Sequence, residues 1–157
     1  MRYFPLFADL RGRRVLVVGG GEVAARKVRL LLESDAEVSI VAREIGDEIA
    51  ALSTRVRWVA REFDPAQLAD VSLVVAATDD RKLNARVAAA GRHANLFVNV
   101  VDDPELSSFI VPAIVDRSPL VIALSRGGVA PVLARSIRER IEALVAGSVG
   151  SLASLRE

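Results

Sequence analysis

The 157-residue chain has no cysteine, which removes disulfides, thiolate metal sites and cysteine nucleophiles together. It has one histidine, His93, too few for a histidine-rich metal cage, and no metal site is expected. Aromatic residues make up only 4%, so the core has to be built from Val, Leu, Ala and Ile. No apolar run approaches the roughly 20 residues that span a bilayer, and the first residues lack the apolar stretch of a secretion signal. The expectation is a soluble, cytoplasmic chain with no membrane partner. The 21 basic and 20 acidic residues nearly cancel, and a net charge of +1 gives no reason to expect a nucleic-acid partner. The phosphate-binding pattern G-x-x-x-x-G-K-[ST] is absent as well.

What is present is aliphatic: 52% of the residues are hydrophobic, in short runs at even spacing. Arg14–Val18, Glu37–Val41, Val56–Val59, Leu73–Ala77 and Phe97–Val101 read as strands. Between them, Val23–Glu33 and Asp80–Arg92 have helical spacing, with Val28, Leu31 and Leu32 on one inner face and Leu83, Val87 and Ala90 on the other. Strand alternating with helix predicts right-handed βαβ units and a parallel sheet covered on both faces. After Asp102-Asp103-Pro104 the pattern changes. Phe109–Pro112 and Leu120–Leu124 read as two further strands around a turn at Asp116–Pro119, followed by a helix from Pro131 to about Val145. A hairpin and one amphipathic helix are too small to form a core alone, so this part is expected to pack on the first domain or on a second copy of the chain.

Gly19-Gly20-Gly21-Glu22-Val23-Ala24 fits G-x-G-x-x-G/A, with a strand before it and a helix after it. In that setting the first glycine permits a tight turn, the second lets backbone approach a pyrophosphate, and Ala24 lets helix and strand pack closely. The helix N-terminus then offers free N–H groups to the phosphates of a dinucleotide. The end of the second strand, Val41-Ala42-Arg43-Glu44, leaves the cofactor open at this point: Glu44 suits ribose hydroxyls, as in NAD, Arg43 suits a 2′-phosphate, as in NADP, and as solvated loop residues both would meet the adenosine only through backbone.

In an open parallel sheet, ligands collect beyond the carboxyl ends of the strands. Thr78 and Asp79 stand there after the fourth run, to line the cofactor or to cap the next helix, capping being the preferred role for Asp79. Asn99 and Asp102 stand there after the fifth, and Asp102 is the best acid/base candidate, weighed evenly against a plain turn carboxylate. Ser107 and Ser108 follow as hydroxyls for a carboxylate-rich substrate. His93 falls at a helix end, where a cation complements the helix dipole, and no Ser-His-Asp triad can be made with it.

These residues carry a resemblance that spans Met1 to about Leu155. Phe4-Pro5-Leu6-Phe7, the glycine loop with Arg26-Lys27 after it, Ala76–Asp80, Asn99–Asp102, Ser108–Pro112 and Asp116–Leu120 together resemble the N-terminal half of siroheme synthase. That family acts as precorrin-2 dehydrogenase and, in many members, as sirohydrochlorin ferrochelatase. The resemblance implies an α/β, Rossmann-type parallel sheet over residues 1–112, with a small C-terminal β-hairpin and helix as a dimerisation region over 113–157. It implies NAD as cofactor, with Gly19, Gly20, Gly21, Glu22 and Val23 at the pyrophosphate, Arg43 and Glu44 along the adenosine ribose, and Thr78 and Asp79 beside them. It puts Asp102 in the place of the family's essential aspartate, with a tetrapyrrole held in a cleft of a homodimer. Ferrous ion is a further substrate where chelation occurs.

Two departures stand out. Family members often carry Ser-Ser-Gly-Gly where this chain has Ser125-Arg126-Gly127-Gly128, so Ser125 and Arg126 are substrate-binding candidates, Arg126 for a carboxylate. The sequence also stops at Glu157, before the family's remaining helical region and the methyltransferase domain fused in some members. The alternative of a different class is a dimeric, dinucleotide-sensing regulatory module that performs no chemistry.

Overall fold

A computed structural model describes residues 3–118, 120–125, 137 and 139–143. The chain divides into two compact units, one of residues 5–110 and one of residues 111 onward together with the first four.

The first unit is an open parallel sheet of β1 (Arg14–Val18), β2 (Glu37–Val41), β3 (Val56–Ala60), β4 (Leu73–Ala76) and β5 (Phe97–Val100), in the order β3-β2-β1-β4-β5. Helix α1 (Glu22–Glu33) connects β1 to β2 and helix α3 (Arg81–His93) connects β4 to β5, while the short α2 (Asp47–Ala50) precedes β3. The two long crossovers step away from β1 in opposite directions. With right-handed connections they must then lie on opposite faces. The strand alternation divides the core accordingly. Val15, Val17, Val38 and Ile40 pack under α1 with Ala24, Ala25 and Val28, and Leu16, Val18, Val74 and Val98 pack under α3 with Val87 and Ala88. β1 and β4 are covered on both sides, which is why they read as unbroken aliphatic runs. Strand order reverses between β1 and β4, so their carboxyl ends open the crevice where such sheets take ligands.

In the second unit, β6 (Ala113–Arg117) pairs antiparallel with β7 (Leu120–Leu124), Arg117 opposite Leu120. Residues 137 and 139–143 are helical, within the helix expected there, and Arg117 approaches Glu142 at 3.7 Å. The first hairpin strand is therefore not Phe109–Pro112. That segment forms no strand, and the pairing starts at Ala113, one residue past a proline that has no N–H to donate to a ladder. Asp116 and Arg117, expected in the turn, end the strand instead, and Asp116 accepts from the Ser118 N–H and hydroxyl, both at 3.0 Å.

Candidate dinucleotide site and neighbouring cavity

The three glycines of the β1–α1 loop serve three different ends. Gly19 has a positive φ of 133° and lies against β4, where a Cβ would run into the Ala77 carbonyl oxygen. Gly20 lies against the chain leaving β2: a Cβ there would strike the Glu44 carbonyl oxygen and come within 2.9 Å of Ala42 Cβ. The Gly20 carbonyl also accepts from the Gly46 N–H at 2.9 Å, which fastens the loop to the approach of α2. Gly21 is different, for a Cβ added to it meets nothing within 4 Å. It is the N-cap of α1 and contributes no side chain to cap the helix, so the first N–H groups of α1 are left facing the crevice. An anion placed over Gly21 would satisfy them, and the vacant space above this glycine is the space a pyrophosphate needs. The requirement at Gly20 was not foreseen, since the motif treats that position as variable.

The loop forms one wall of a cleft of about 810 Å³. Gly19, Gly20, Gly21, Glu22, Val23, Arg43, Glu44, Thr78 and Asp79, every residue expected at a cofactor, line this one cleft. Arg61 and Phe63 add to its far wall. The Arg61 guanidinium donates to the Arg43 carbonyl at 2.9 Å and lies over the Trp58 ring, 5.2 Å from its centroid, so it presents a fixed charge beside Arg43. Size, phosphate end and lining fit a dinucleotide.

Thr78 is shared by this cleft and a second cavity of about 540 Å³ beyond β5, lined also by Arg81, Asn84, Val101, Asp102, Asp103 and Leu106. Asp102 has the left-handed backbone (φ 59°) that a short polar side chain tolerates best after glycine. Its neighbour Asp103 accepts from the Leu106 N–H at 3.1 Å and holds the turn closed, which leaves Asp102 exposed at the cavity wall. From α1, the half-buried Lys27 feels this carboxylate. Burial lowers the lysine below the usual 10.5, the Asp102 charge opposes that, and Arg26 adds to it.

Several expected residues have other employment. Asp80, not Asp79, caps α3, accepting from Lys82 N–H at 2.9 Å and Leu83 N–H at 3.1 Å, and Asp79 stays free of the helix end in the cleft. The Ser107 and Ser108 hydroxyls are committed to the open edge of β5. Ser107 Oγ accepts from Val100 N–H at 2.9 Å and Ser108 Oγ from Val98 N–H at 2.8 Å, in place of a further strand. Asn99 is buried and its Nδ2 donates to the Phe109 carbonyl at 3.1 Å. These three residues thus shape the edge beyond β5 and do not line either cavity. Ser125 is exposed just past β7 in the second unit, and Arg126 lies outside the described residues. Among the described residues no group of three or more potential metal ligands is gathered, and no helix is long and apolar enough to cross a membrane.

Fold and site together define a dinucleotide-binding α/β protein. The chain belongs to a family described as putative NAD(P)-binding, whose model matches residues 6–113, and the expectation of NAD as cofactor agrees with it. It is similar over 99% of its length to a siroheme synthase of Tolumonas auensis (52% identical) and to siroheme synthase 1 of Pectobacterium atrosepticum (54% identical). It covers 33% of each, so it spans about a third of the length of these relatives. Among solved structures it is similar to SirC, precorrin-2 dehydrogenase, with a TM-score of 0.71 and 27% identity over 90% of this chain and 70% of that one. The resemblance drawn from the motifs and these likenesses agree.

Proposed function

We propose that the chain is a precorrin-2 dehydrogenase, oxidising precorrin-2 to sirohydrochlorin with NAD in siroheme biosynthesis. The observation that carries the reading is the junction at Thr78, where the glycine-loop cleft meets a cavity bearing the Asp102 carboxylate. Bound NAD would supply the hydride acceptor. Gly19, Gly20 and Gly21 with the first N–H groups of α1 hold its pyrophosphate, Arg43 and Glu44 its adenosine ribose, and Glu22, Val23, Thr78 and Asp79 the walls between. Asp102 takes the proton that leaves the macrocycle as the hydride departs to NAD, so that the oxidation removes two electrons and two protons in all, one proton within the hydride and one on the carboxylate. The Asp102 cavity favours this reading over a sensing module, which has no use for a carboxylate beside the nicotinamide end.

Two extensions rest on the resemblance carried by the motifs. The region from Ala113 onward is the dimerisation region of a homodimer, and Ser125 and Arg126 are its substrate-binding candidates. Ferrous ion, as a second substrate, enters sirohydrochlorin with the macrocycle nitrogens as its ligands, and Asp102 takes the two displaced N–H protons one at a time and passes them to solvent. A biosynthetic role of this kind belongs in the cytoplasm. The test mixes the protein with precorrin-2 and NAD and follows sirohydrochlorin absorbance. Turnover is expected, and NAD binding without turnover overturns the dehydrogenase reading.

A further inference from the structure

The first two turns of α3 divide the two hollows between opposite sides of one helix. At about 100° per residue, positions 81, 84 and 85 share one face and positions 82, 83 and 86 the other. Arg81, Asn84 and Ala85 line the cavity of Asp102, while Lys82, Leu83 and Arg86 line the dinucleotide cleft. The side chain of Arg81 is thus directed away from the cofactor.

The cavity beyond β5 has an electrostatic difficulty. It is walled by two carboxylates, Asp102 and Asp103, and any substrate that itself carries carboxylates must be brought up to them. Of the described residues lining it, Arg81 alone is cationic. The Arg81 side chain makes no hydrogen bond or ion pair with a described residue, whereas those of Arg61 and Arg86 in the neighbouring cleft are each tied to a backbone carbonyl at 2.9 Å. Asp80, next to it, is occupied with capping α3. An unengaged guanidinium on one wall of a cavity whose other wall holds the proposed base is suited to a carboxylate, which it meets with two parallel N–H donors.

We infer that Arg81 binds a peripheral carboxylate of the macrocyclic substrate and so fixes which edge of the ring faces Asp102. This rests on the dehydrogenase reading above and names a contact within it. The experiment compares the unaltered chain with Arg81→Gln and Arg81→Lys in steady-state oxidation of precorrin-2. For Arg81→Gln the KM for precorrin-2 should rise about tenfold, the scale of one lost charge-assisted contact, with the KM for NAD unchanged and with Arg81→Lys recovering part of the loss. An unchanged KM for precorrin-2 in a folded Arg81→Gln protein overturns the inference. So does a rise confined to the KM for NAD, which would assign Arg81 to the cofactor. If the unaltered chain does not turn over, the dehydrogenase reading falls separately. Equilibrium binding of sirohydrochlorin, read by quenching of its fluorescence, then decides Arg81: about tenfold weaker binding in Arg81→Gln supports it and equal binding overturns it.

Discussion

Asn84 grips Thr78 from both ends. Its Oδ1 accepts from the Thr78 hydroxyl at 2.7 Å and from the Thr78 N–H at 3.3 Å, and its Nδ2 donates to the Thr78 carbonyl at 2.8 Å. The Thr78 hydroxyl accepts in turn from the Asp80 N–H at 3.2 Å. A backbone N–H and a backbone carbonyl cannot exchange roles, so the amide has a single orientation. The residue at the junction of the two hollows is thereby held by a buried side chain of α3. Asn84→Leu keeps the volume and leaves the backbone groups of Thr78 unpaired in a poorly hydrated place. A loss of about 1–3 kcal/mol is expected in urea denaturation, with weaker binding of both NAD and precorrin-2.

The loop makes a sharper test, because two adjacent glycines should respond in opposite ways. Gly20→Ala forces a Cβ into the Glu44 carbonyl, a backbone atom that cannot swing aside, and should destabilise the fold by about 1–3 kcal/mol. Gly21→Ala meets nothing and has an ordinary φ of −86°, so the fold should keep its stability. Its new methyl group occupies the space over the α1 N-terminus, and NAD affinity should fall by at least tenfold. Thermal melts and NAD titrations of the two variants separate these outcomes.

Much of this was legible in the sequence because of hydrophobic burial on both faces of the sheet. β1 and β2 were readable to the residue, since a strand covered on both sides admits little but aliphatic side chains. The glycine loop was legible because it follows directly on such a strand. What escaped reading depends on contacts distant in sequence. The need for glycine at position 20 comes from the Glu44 carbonyl, and the roles of Ser107 and Ser108 come from the open edge of β5. α2 is too short to show a period, and Phe109–Pro112 has the composition of a strand without a ladder to join. Arg81 carried no motif, and only the phase of α3 shows which side it faces.

Asp102 is the proposed base, and Asp102→Asn keeps its size while removing its basicity. Turnover of precorrin-2 should fall by about 10²–10⁴-fold with NAD affinity unchanged. Retention of full turnover would remove Asp102 from the mechanism and leave the cofactor site untouched.

The choice of cap for α3 is open to a direct comparison. Asp80→Ala removes the acceptor for two helix N–H groups and should cost about 0.5–2 kcal/mol. Asp79→Ala removes no hydrogen bond to the helix N-terminus and should leave stability within about 0.5 kcal/mol. A reversed ranking in urea denaturation would return the cap to Asp79.

Lys27 gives a prediction in pH. Burial on α1 lowers its pKa below 10.5, the value it regains on unfolding, so the folded chain holds this proton less tightly than the unfolded one. Where both states are protonated, below the folded pKa, the cost of a half-buried ammonium is present in full. As pH rises through the folded pKa towards 10.5 the folded state loses the proton first, and the cost is relieved. Lys27→Met removes the charge and keeps the apolar stem along the helix. The variant should therefore be more stable than the parent at pH 7, with the difference narrowing towards pH 10.5 in urea denaturation. A gap that is constant across this range would mean that Lys27 is as well solvated in the folded chain as in the unfolded one. A gap that widens would mean that the field of Asp102 outweighs burial and holds the proton on.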